Sequence, residues 1–508
     1  TRDARIKKKR PDDMPKDSLG IVTLGNNNFV KVPRVKAYKM PSEAGSWVAY
    51  HLEKPLPDTA KKAPAVPKNP QADSLRKVVD SLTALMNKFP EKVQRKYLDE
   101  ATGEWVDADE PTAGNNAGGD TGSELVWYDL AAGKKTSFKN VTDFAVDKFG
   151  NKLGLKTAKA GRDSLAKAYV LVGDSKTAKV DTVMRGFNDA KNMAFDETGS
   201  QLALVAERDS SSKAIQKFYK LWYWQQGSDS AILVADRNSP GKKADWGISE
   251  NASLSFSKSG KRLFFGVAPV MPPKDTTVPE FEKAQLDIWH YNDDYLQPYQ
   301  LKNLDRELKR SYLAVFHTGS KKLLQLADNN LAEVRTTGEG DGRWFWAIDD
   351  RSSRVASQWA GRGKGDLYVI DPETGTSKMV KAGVDGVPFG DNPDGTAVVW
   401  YEHGDKQYHT WADGKEAIVS KGIKAALYDE ENDVPDDPNP YGVMAWTKDG
   451  RTLFVYDRYE IWRLDPAGVN APVSITGGAG RQSGVTIRWQ NLNRDENYVQ
   501  FGEDYLFT

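Results

Sequence analysis

The chain has 508 residues, of which 39% are hydrophobic and 15 are Trp, so it can bury a substantial core and is not of the disordered class. Its 71 basic and 71 acidic residues cancel, which excludes a whole-chain electrostatic argument for binding nucleic acid or an anionic membrane. It contains no Cys, which excludes disulfides, thiolate metal sites and Cys nucleophiles.

The two ends of the chain predict that the natural protein is longer. The chain begins without Met and without an apolar signal segment, and it ends in GEDYLFT, within a predicted strand. The basic run from Lys7 to Arg10 is interpreted as part of a solvated lead-in, with an anionic or nucleic-acid partner as the alternative.

Residues 55–123 are predicted to be an insertion between blades, following a first meander of short strands. An amphipathic helix is predicted near residues 73–98, followed by a loop rich in Gly and Asp. The helix is predicted from apolar residues three and four positions apart, which are Leu75, Val78, Val79, Leu82, Leu85, Met86 and Phe89. This stripe is interpreted as packing on its own domain, with partner binding as the alternative.

After Glu124 a turn followed by a β-rich strand recurs along the chain. It reads DETGSQLALVAE, SKSGKRLFFGVA, NPDGTAVVWYE and TKDGRTLFVYD in four of its copies. The turn glycines are mostly about 50 residues apart, in the range of propeller blades, and are Gly150, Gly199, Gly260, Gly342, Gly395 and Gly450. A second, often aromatic strand type recurs between these copies, as in DLYVIDPETGT and EIWRLDP.

These repeats predict an all-β fold, a seven- or eight-bladed β-propeller of four-stranded meanders that spans residues 1–508 and is incomplete at both ends. Meanders are predicted near residues 19–54, 125–158, 168–207, 218–268, 286–349, 366–403 and 407–457. The strand from Glu460 to Leu464 is predicted to open a further, unfinished blade. Closing a propeller removes its exposed edges, and pairing strands from the two chain ends is the simplest closure.

The repeat strands, together with LDIWHYNDDYLQPYQLKNLDRELKRSYL (residues 286–313), resemble the propeller of serine peptidases of the prolyl oligopeptidase family. Within that family, the chain looks like the dipeptidyl aminopeptidases and acylaminoacyl peptidases of the Bacteroidetes. The resemblance implies an α/β-hydrolase domain with a Ser, Asp, His triad, and it implies a periplasmic or cell-envelope location.

No Ser in the chain stands in the G-x-S-x-G elbow that carries the nucleophile of such a domain. An alternating strand and helix pattern is also absent from the sequence. We therefore predict no catalytic residue in this chain and expect the hydrolase domain after residue 508.

The histidines are too scattered in sequence to predict a triad or a metal site. They are His51, His290, His317, His403 and His409. The acidic segment 429–439 has carboxylates that a calcium ion could use, but it lacks the spacing of an EF-hand loop, so a solvated loop is the prediction. No metal or other cofactor is therefore predicted.

Two further groups of residues have the side chains of a possible site. Asp293 and Asp294, with Arg306, Glu307 and Arg310 nearby, are interpreted as turn chemistry and not as an acid and base pair. Aromatic and Arg side chains that could line a binding surface are Trp344, Trp346, Trp359, Arg351 and Arg354. Strand alternation puts the first two on one face, where core packing is the simpler account.

The predicted function is that of a substrate-gating propeller, which admits peptides to a serine peptidase domain outside this chain. A non-catalytic propeller that acts as a scaffold or peptide-binding subunit of a cell-envelope complex is the alternative. The predicted partners are a peptide substrate, the chain's own hydrolase domain and envelope proteins. Neither nucleic acid nor a membrane span is expected.

Overall fold

The computed structural model describes most of the chain. The described residues are 14, 16–25, 28–54, 96–98, 105–107, 121–159, 167–211, 214–273, 275, 277–284, 286–412, 414–493 and 498–508. The basic run and residues 73–95 of the predicted helix lie outside these residues, whereas residues 96–98, at the end of that prediction, form a strand and not a helix. Among the described residues, no helix has the length and apolar character needed to cross a bilayer.

The N-terminal hairpin consists of β1 (Ser18–Thr23) and β2 (Asn28–Pro33), which pair only with each other among the described strands. Seven antiparallel meanders of four successive strands follow in the described residues, and we number them 1 to 7.

Meanders 1 and 2 share one sheet because one long strand belongs to both. Meander 1 contains β3 (Val35–Lys39), β4 (Trp47–Leu52), β7 (Ser123–Asp129) and the first part of β8 (Lys135–Val146). Meander 2 contains the rest of β8, β9 (Lys152–Thr157), β10 (Tyr169–Asp174) and β11 (Val180–Arg185). Between β4 and β7 lies a separate hairpin of β5 (Lys96–Leu98) and β6 (Trp105–Asp107).

Meanders 3 to 5 are separate sheets. Meander 3 contains β12 (Asp189–Phe195), β13 (Gln201–Glu207), β14 (Lys220–Gln225) and β15 (Ile232–Ala235). In meander 4 the first strand is split into β16 (Trp246–Ile248) and β17 (Ser255–Phe256), and then come β18 (Arg262–Pro269), β19 (Tyr312–His317) and β20 (Leu323–Gln325). Meander 5 contains β21 (Val334–Arg335), β22 (Phe345–Asp349), β23 (Gly365–Ile370) and β24 (Ser377–Val384).

Meanders 6 and 7 complete the series. Meander 6 contains β25 (Gly386–Asp391), β26 (Ala397–Glu402), β27 (Gln407–Ala412) and β28 (Lys415–Ile418). Meander 7 contains β29 (Val443–Thr447), β30 (Leu453–Tyr456), β31 (Ile461–Leu464) and β32 (Val473–Ser474), and β33 (Tyr498–Val499) joins it parallel to β29. The helices among the described residues are α1 (Gln297–Leu308), α2 (Arg354–Ala360) and α3 (Ala479–Ser483), and short 3-10 turns there occupy Glu280–Glu282, Gly338–Gly340 and Arg351–Ser353.

Each meander packs face to face on the next through a shared apolar cluster, because alternate residues of each strand point to opposite faces. Between meanders 2 and 3, for example, Val170 and Val172 pack with Leu202, Leu204 and Trp224. Similar clusters join each of the remaining successive pairs of meanders. The prediction of an all-β fold of the propeller class is confirmed, while the number of blades stays a prediction.

The two end meanders are each covered by the nearest end of the described chain. Leu19, Ile21 and Val32 of the N-terminal hairpin pack on the outer face of meander 1. Ile487 and Trp489 pack on the outer face of meander 7. Within the described strands no pairing joins meander 1 to meander 7, so the predicted closure through the two chain ends is not observed.

The turns between the first and second strands of a meander share one hydrogen-bond pattern. In five turns a buried polar side chain at position i accepts a hydrogen bond from the backbone N–H at i+5, which ties the two strands together. The accepting residues are Asp147, Asp196, Ser257, Asn392 and Thr447, with distances of 2.6, 2.7, 3.2, 2.8 and 3.0 Å. Position i+3 of each turn is Gly with a positive φ of 67 to 72°. Gly342, the sixth predicted turn glycine, is not among the residues of positive φ.

We expect Asp391→Asn to stabilise the protein at neutral pH. Asp391 ends β25, and its Oδ2 accepts a hydrogen bond from Gly338 N at 3.3 Å, but burial raises the pKa of this carboxyl to about 6. The folded state therefore holds the proton more tightly than the unfolded state. The resulting stability is present below the unfolded pKa of about 3.9 and is lost as the pH rises through about 6.

Asn keeps an acceptor oxygen without the buried charge. The free energy of unfolding should rise by about 1–3 kcal/mol at pH 8 and change little at pH 4, as measured by urea unfolding at each pH. Asp449→Asn is the control, because hydrogen bonds from Thr447 and Arg451 hold the pKa of Asp449 below its ordinary value. If Asp391→Asn raised the free energy of unfolding equally at pH 4 and at pH 8, the claim that the folded state pays for a buried Asp391 charge would be contradicted.

Candidate docking surface

The chain segments that connect the second and third strands of meanders 4 and 5 meet at one end of the sheets. The first runs from β18 to β19 and carries α1, and the second runs from β22 to β23 and carries α2. Second-to-third connections of consecutive meanders leave their sheets at the same end, so the two helices are neighbours. The meander predicted near residues 286–349 does not begin at residue 286, because residues 286–293 form no strand.

Polar contacts hold the two connections together. Arg354 Nη1 lies 3.0 Å from Asp294 Oδ2, and its Nε lies 2.9 Å from Asp350 Oδ1. Gln358 donates from Nε2 to the backbone oxygen of Asp294 at 2.6 Å and accepts at Oε1 from Leu296 N at 3.0 Å. Three of these four contacts join the two connections and order the start of α1 relative to α2, and the Arg354–Asp350 pair lies within the second connection.

Aromatic stacking extends this junction. Tyr295 and Tyr299 stack with ring centroids 4.7 Å apart, and the Arg354 guanidinium lies 5.4 Å from the Tyr295 ring. At the other end of α1, Glu307 accepts hydrogen bonds from Arg310 Nε and Nη2, both at 2.6 Å. Arg310 thereby holds the pKa of Glu307 below its ordinary value, so the pair stays charged at neutral pH. The surface is therefore ordered at both ends of α1.

This ordered surface exposes large apolar side chains to solvent, and α1 has no buried residue. The exposed apolar residues, which we call the docking platform, are Leu286, Ile288, Trp289, Tyr291, Leu296, Leu301, Leu304, Leu308, Val355 and Trp359. Tyr291 is 90% exposed and Trp359 is 78% exposed. Isolated exposed apolar residues are ordinary, but a concentration on one rigid segment is typical of a surface that another molecule covers.

Arg362 neutralises part of the acidic segment 429–439. It lies 3.6 Å from Asp385 Oδ1 and 3.6 Å from Asp436 Oδ1, and it also contacts Asp437. Glu431 in the same segment pairs with Arg458 at 2.5 Å. Three of the acidic side chains are thus engaged by arginines. Among the described residues, no group of three or more His or acidic side chains is placed to hold a metal ion.

The five histidines lie in different surroundings. His290 is exposed and stacks on Tyr291, while His317 contacts the backbone oxygen of Pro372 at 3.0 Å. His403 is buried, which lowers its pKa, and packs edge-on to Tyr401.

His409 lies between two carboxylates on opposite sides of its ring. Its Nε2 is 2.8 Å from Asp405 and its Nδ1 is 3.3 Å from Glu416. Ligands on opposite sides of an imidazole do not converge on one ion, so this arrangement is a structural hydrogen-bond network.

Meander 1 contains a Ser–His contact that no sequence pattern indicated. Ser123 Oγ lies 2.8 Å from His51 Nε2. The same nitrogen, however, lies 2.9 Å from the Val141 backbone oxygen, and Ser123 Oγ donates to the Leu52 backbone oxygen. A nitrogen that donates to a carbonyl oxygen cannot accept the serine proton, so the pair lacks the geometry of a nucleophile and its base.

The Trp and Arg residues predicted to line a surface divide into two groups. Trp344 and Trp346 pack against the core between meanders 5 and 6, which confirms the packing interpretation. Arg354 and Trp359 belong to the junction and the platform, while Arg351 pairs with Asp349 at 2.7 Å.

Asp293 and Asp294 lie in a turn, where Asp293 N donates to His290 O at 3.1 Å. The platform residues on α1 had a sequence signal in the spacing of Leu301, Leu304 and Leu308.

Known proteins resemble this chain only distantly. No protein family and no curated protein matches the sequence. Among solved structures, the β-propeller domain of the trilobed protease from Pyrococcus furiosus matches with 10% identity and a TM-score of 0.30, covering 87% of this chain and 97% of that one.

Two peptidases also match. Dipeptidyl peptidase 4 from Porphyromonas gingivalis has 11% identity and a TM-score of 0.33, and 78% of this chain is covered. Acylaminoacyl peptidase from Pyrococcus horikoshii has 10% identity and a TM-score of 0.27, and 90% of this chain is covered. The chain spans 55% of the length of each peptidase. The fold assignment rests on the meanders and their shared cores, not on these scores.

Proposed function

We propose that this chain is the non-catalytic propeller of a serine peptidase of the prolyl oligopeptidase type, and that a catalytic α/β-hydrolase domain outside the chain covers the docking platform. The observation that carries the proposal is the platform itself, with its exposed apolar side chains on a framework ordered by Arg354 and Arg310. The missing G-x-S-x-G elbow and the resemblance of residues 286–313 to that family support it.

In this role the chain binds the catalytic domain and restricts which substrates reach it, and the catalytic domain performs the chemistry. Peptide hydrolysis would proceed through an acyl-enzyme with oxyanion stabilisation on the catalytic domain. The propeller would admit peptides and exclude folded proteins by covering the active site. The resemblance also carries the proposed location in the periplasm or cell envelope.

A fluorophosphonate probe and chromogenic dipeptidyl substrates test the proposal. The natural full-length protein should cleave the substrates and be labelled at one Ser outside residues 1–508. The isolated chain should show neither activity nor labelling. A label on any Ser of the chain would overturn the proposal, and a full-length protein with no reactive Ser would favour the scaffold alternative.

We expect the double substitution Trp289→Ser and Trp359→Ser to weaken docking of the catalytic domain by at least about tenfold, because aromatic residues at the centre of an interface carry much of its free energy. The measurement is the dissociation constant between this chain and the separately produced catalytic domain. The control is Leu24→Ser with Val469→Ser, which removes side chains that are 93% and 82% exposed outside the platform. If the control variant weakened binding of the catalytic domain as much as the double Trp variant, the docking platform would not be a specific binding surface.

A further inference from the structure

A cleft of about 310 Å³ opens between meanders 1 and 2, away from the docking platform. It is bordered by the turn at residues 149–151, the turn at residues 175–178 and the nearby ends of four strands, β4, β7, β8 and β11. These turns join first to second and third to fourth strands, so they lie at the opposite strand ends from the connections that carry α1 and α2. A cleft of this volume is in the range that holds a small ligand or one side chain of a larger one.

Hydrogen bonds between meanders 1 and 2 and within meander 2 fix the shape of the cleft. Trp47 donates from its indole nitrogen to the Gly150 backbone oxygen at 2.8 Å. Ser175 N donates to Asn151 O at 2.9 Å, which ties together the two turns of meander 2. Gly150 has a φ of 72°, and a Cβ there would lie 3.2 Å from the Trp47 indole nitrogen. The walls are therefore held by close backbone contacts.

The cleft has an aromatic lining. Trp47 is buried and packs edge-on to Trp127, with ring centroids 5.4 Å apart. Trp127 is half-buried, and Phe149 on the facing turn is 44% exposed. Partly exposed rings on two sides of a cleft favour a flat apolar group between them.

The charged groups of the cleft favour an anion beside that apolar group. Lys134 and Lys176 line the cleft, and neither makes an ion pair among the described residues. Among the described lining residues Asp129 is the one acidic side chain, and its Oδ1 already accepts hydrogen bonds from Ala131 N and Ala132 N at 3.0 and 2.9 Å. The ammonium groups are therefore available to a ligand carboxylate.

We propose that this cleft binds an aromatic ring that carries a carboxylate, with the ring against Trp127 and Phe149 and the carboxylate beside Lys134 and Lys176. A free arylalkyl acid and the C-terminal residue of a peptide that ends in Phe or Tyr share this chemistry. The site needs no catalytic domain, so it is independent of the proposed peptidase function.

Calorimetric titration of the isolated chain tests the site with two acids, 3-phenylpropionate and acetyl-Ala-Ala-Phe, and with the amide of each. We expect at least one acid to bind at least threefold more tightly than its amide. Binding of the peptide acid would identify a peptide C-terminus as the source, and binding of 3-phenylpropionate alone would identify a small acid. Absence of binding by both acids, or equal binding of acids and amides, would overturn the proposal.

Matched variants locate the binding in the cleft. Lys134→Gln or Lys176→Gln should each weaken the acid about threefold, and Phe149→Ala should weaken it about tenfold. The controls are Lys139→Gln and Phe281→Ala, which change exposed residues outside the cleft. The three cleft residues are exposed, so the variants should keep the urea midpoint of the parent. Binding that is unchanged in the cleft variants would also overturn the proposal.

Discussion

We expect Gly395→Ala to lower the free energy of unfolding by about 3 kcal/mol or more, through strain and overpacking at one turn. Gly395 has a φ of 67°, which disfavours any residue with a Cβ. A Cβ at this position would also lie 2.2 Å from Thr337 Oγ1 and 2.8 Å from the Cα of Gly342. Backbone atoms cannot move aside without disturbing the contact between meanders 5 and 6. Urea unfolding followed by Trp fluorescence measures the loss.

Gly133→Ala separates the two causes. Gly133 has a φ of 64°, but a Cβ there would meet nothing within 4 Å. This variant carries the cost of the left-handed backbone alone, which we expect to be about 1–2 kcal/mol. If both variants lost the same stability, overpacking of Gly395→Ala against Thr337 and Gly342 would be contradicted.

The second large effect is expected at Asp457, whose side chain has no exposed surface. Its Oδ1 accepts from Tyr459 N and Glu460 N, both at 2.7 Å, and its Oδ2 accepts from Trp462 Nε1 and Arg481 Nη2, both at 2.9 Å. Asp457→Ala leaves these donors without their acceptor. We expect a loss of about 3–5 kcal/mol in the free energy of unfolding, measured by urea unfolding.

Asp449→Ala is the matched control for this network. Asp449 is also a turn aspartate of meander 7, and it accepts from Thr447 Oγ1 at 2.6 Å, but it is exposed to water. Water can replace its contacts, so its removal should cost about 1 kcal/mol or less. A loss at Asp457 no larger than the loss at Asp449 would contradict a buried network.

The sequence predicted the strands and turns of the repeat well, because their chemistry is local. The polar residue at position i and the Gly at i+3 of each turn are visible in the sequence, as in Thr447 and Gly450. The burial of the side chain at position i, and its bond to the N–H at i+5, required the structure.

The grouping of strands into sheets was predicted less well. Each meander contains two similar hairpins, and a hairpin does not reveal which neighbour completes its sheet. Several predicted meanders therefore span the end of one sheet and the start of the next, as does 168–207, which covers β10 to β13. The prediction that the strand from Glu460 opens a further blade is wrong for the same reason, because β31 pairs with β30 as the third strand of meander 7.

The docking platform could be predicted only in part. Alternation of Leu286, Ile288 and His290 with polar residues is typical of a strand, but this segment has no partner strand among the described residues. Spacing also cannot reveal that the apolar face of α1 stays exposed, because an apolar stripe on a helix usually packs on its own domain.

Amide hydrogen exchange in α1 tests the central claim most directly. A helix with no buried residue should exchange quickly in the isolated chain, because few tertiary contacts are lost when its backbone opens. In the natural full-length protein, the account predicts that amides of residues 297–308 exchange at least about tenfold more slowly. Equal exchange of α1 in the isolated chain and in the full-length protein would contradict the claim that a catalytic domain covers the docking platform.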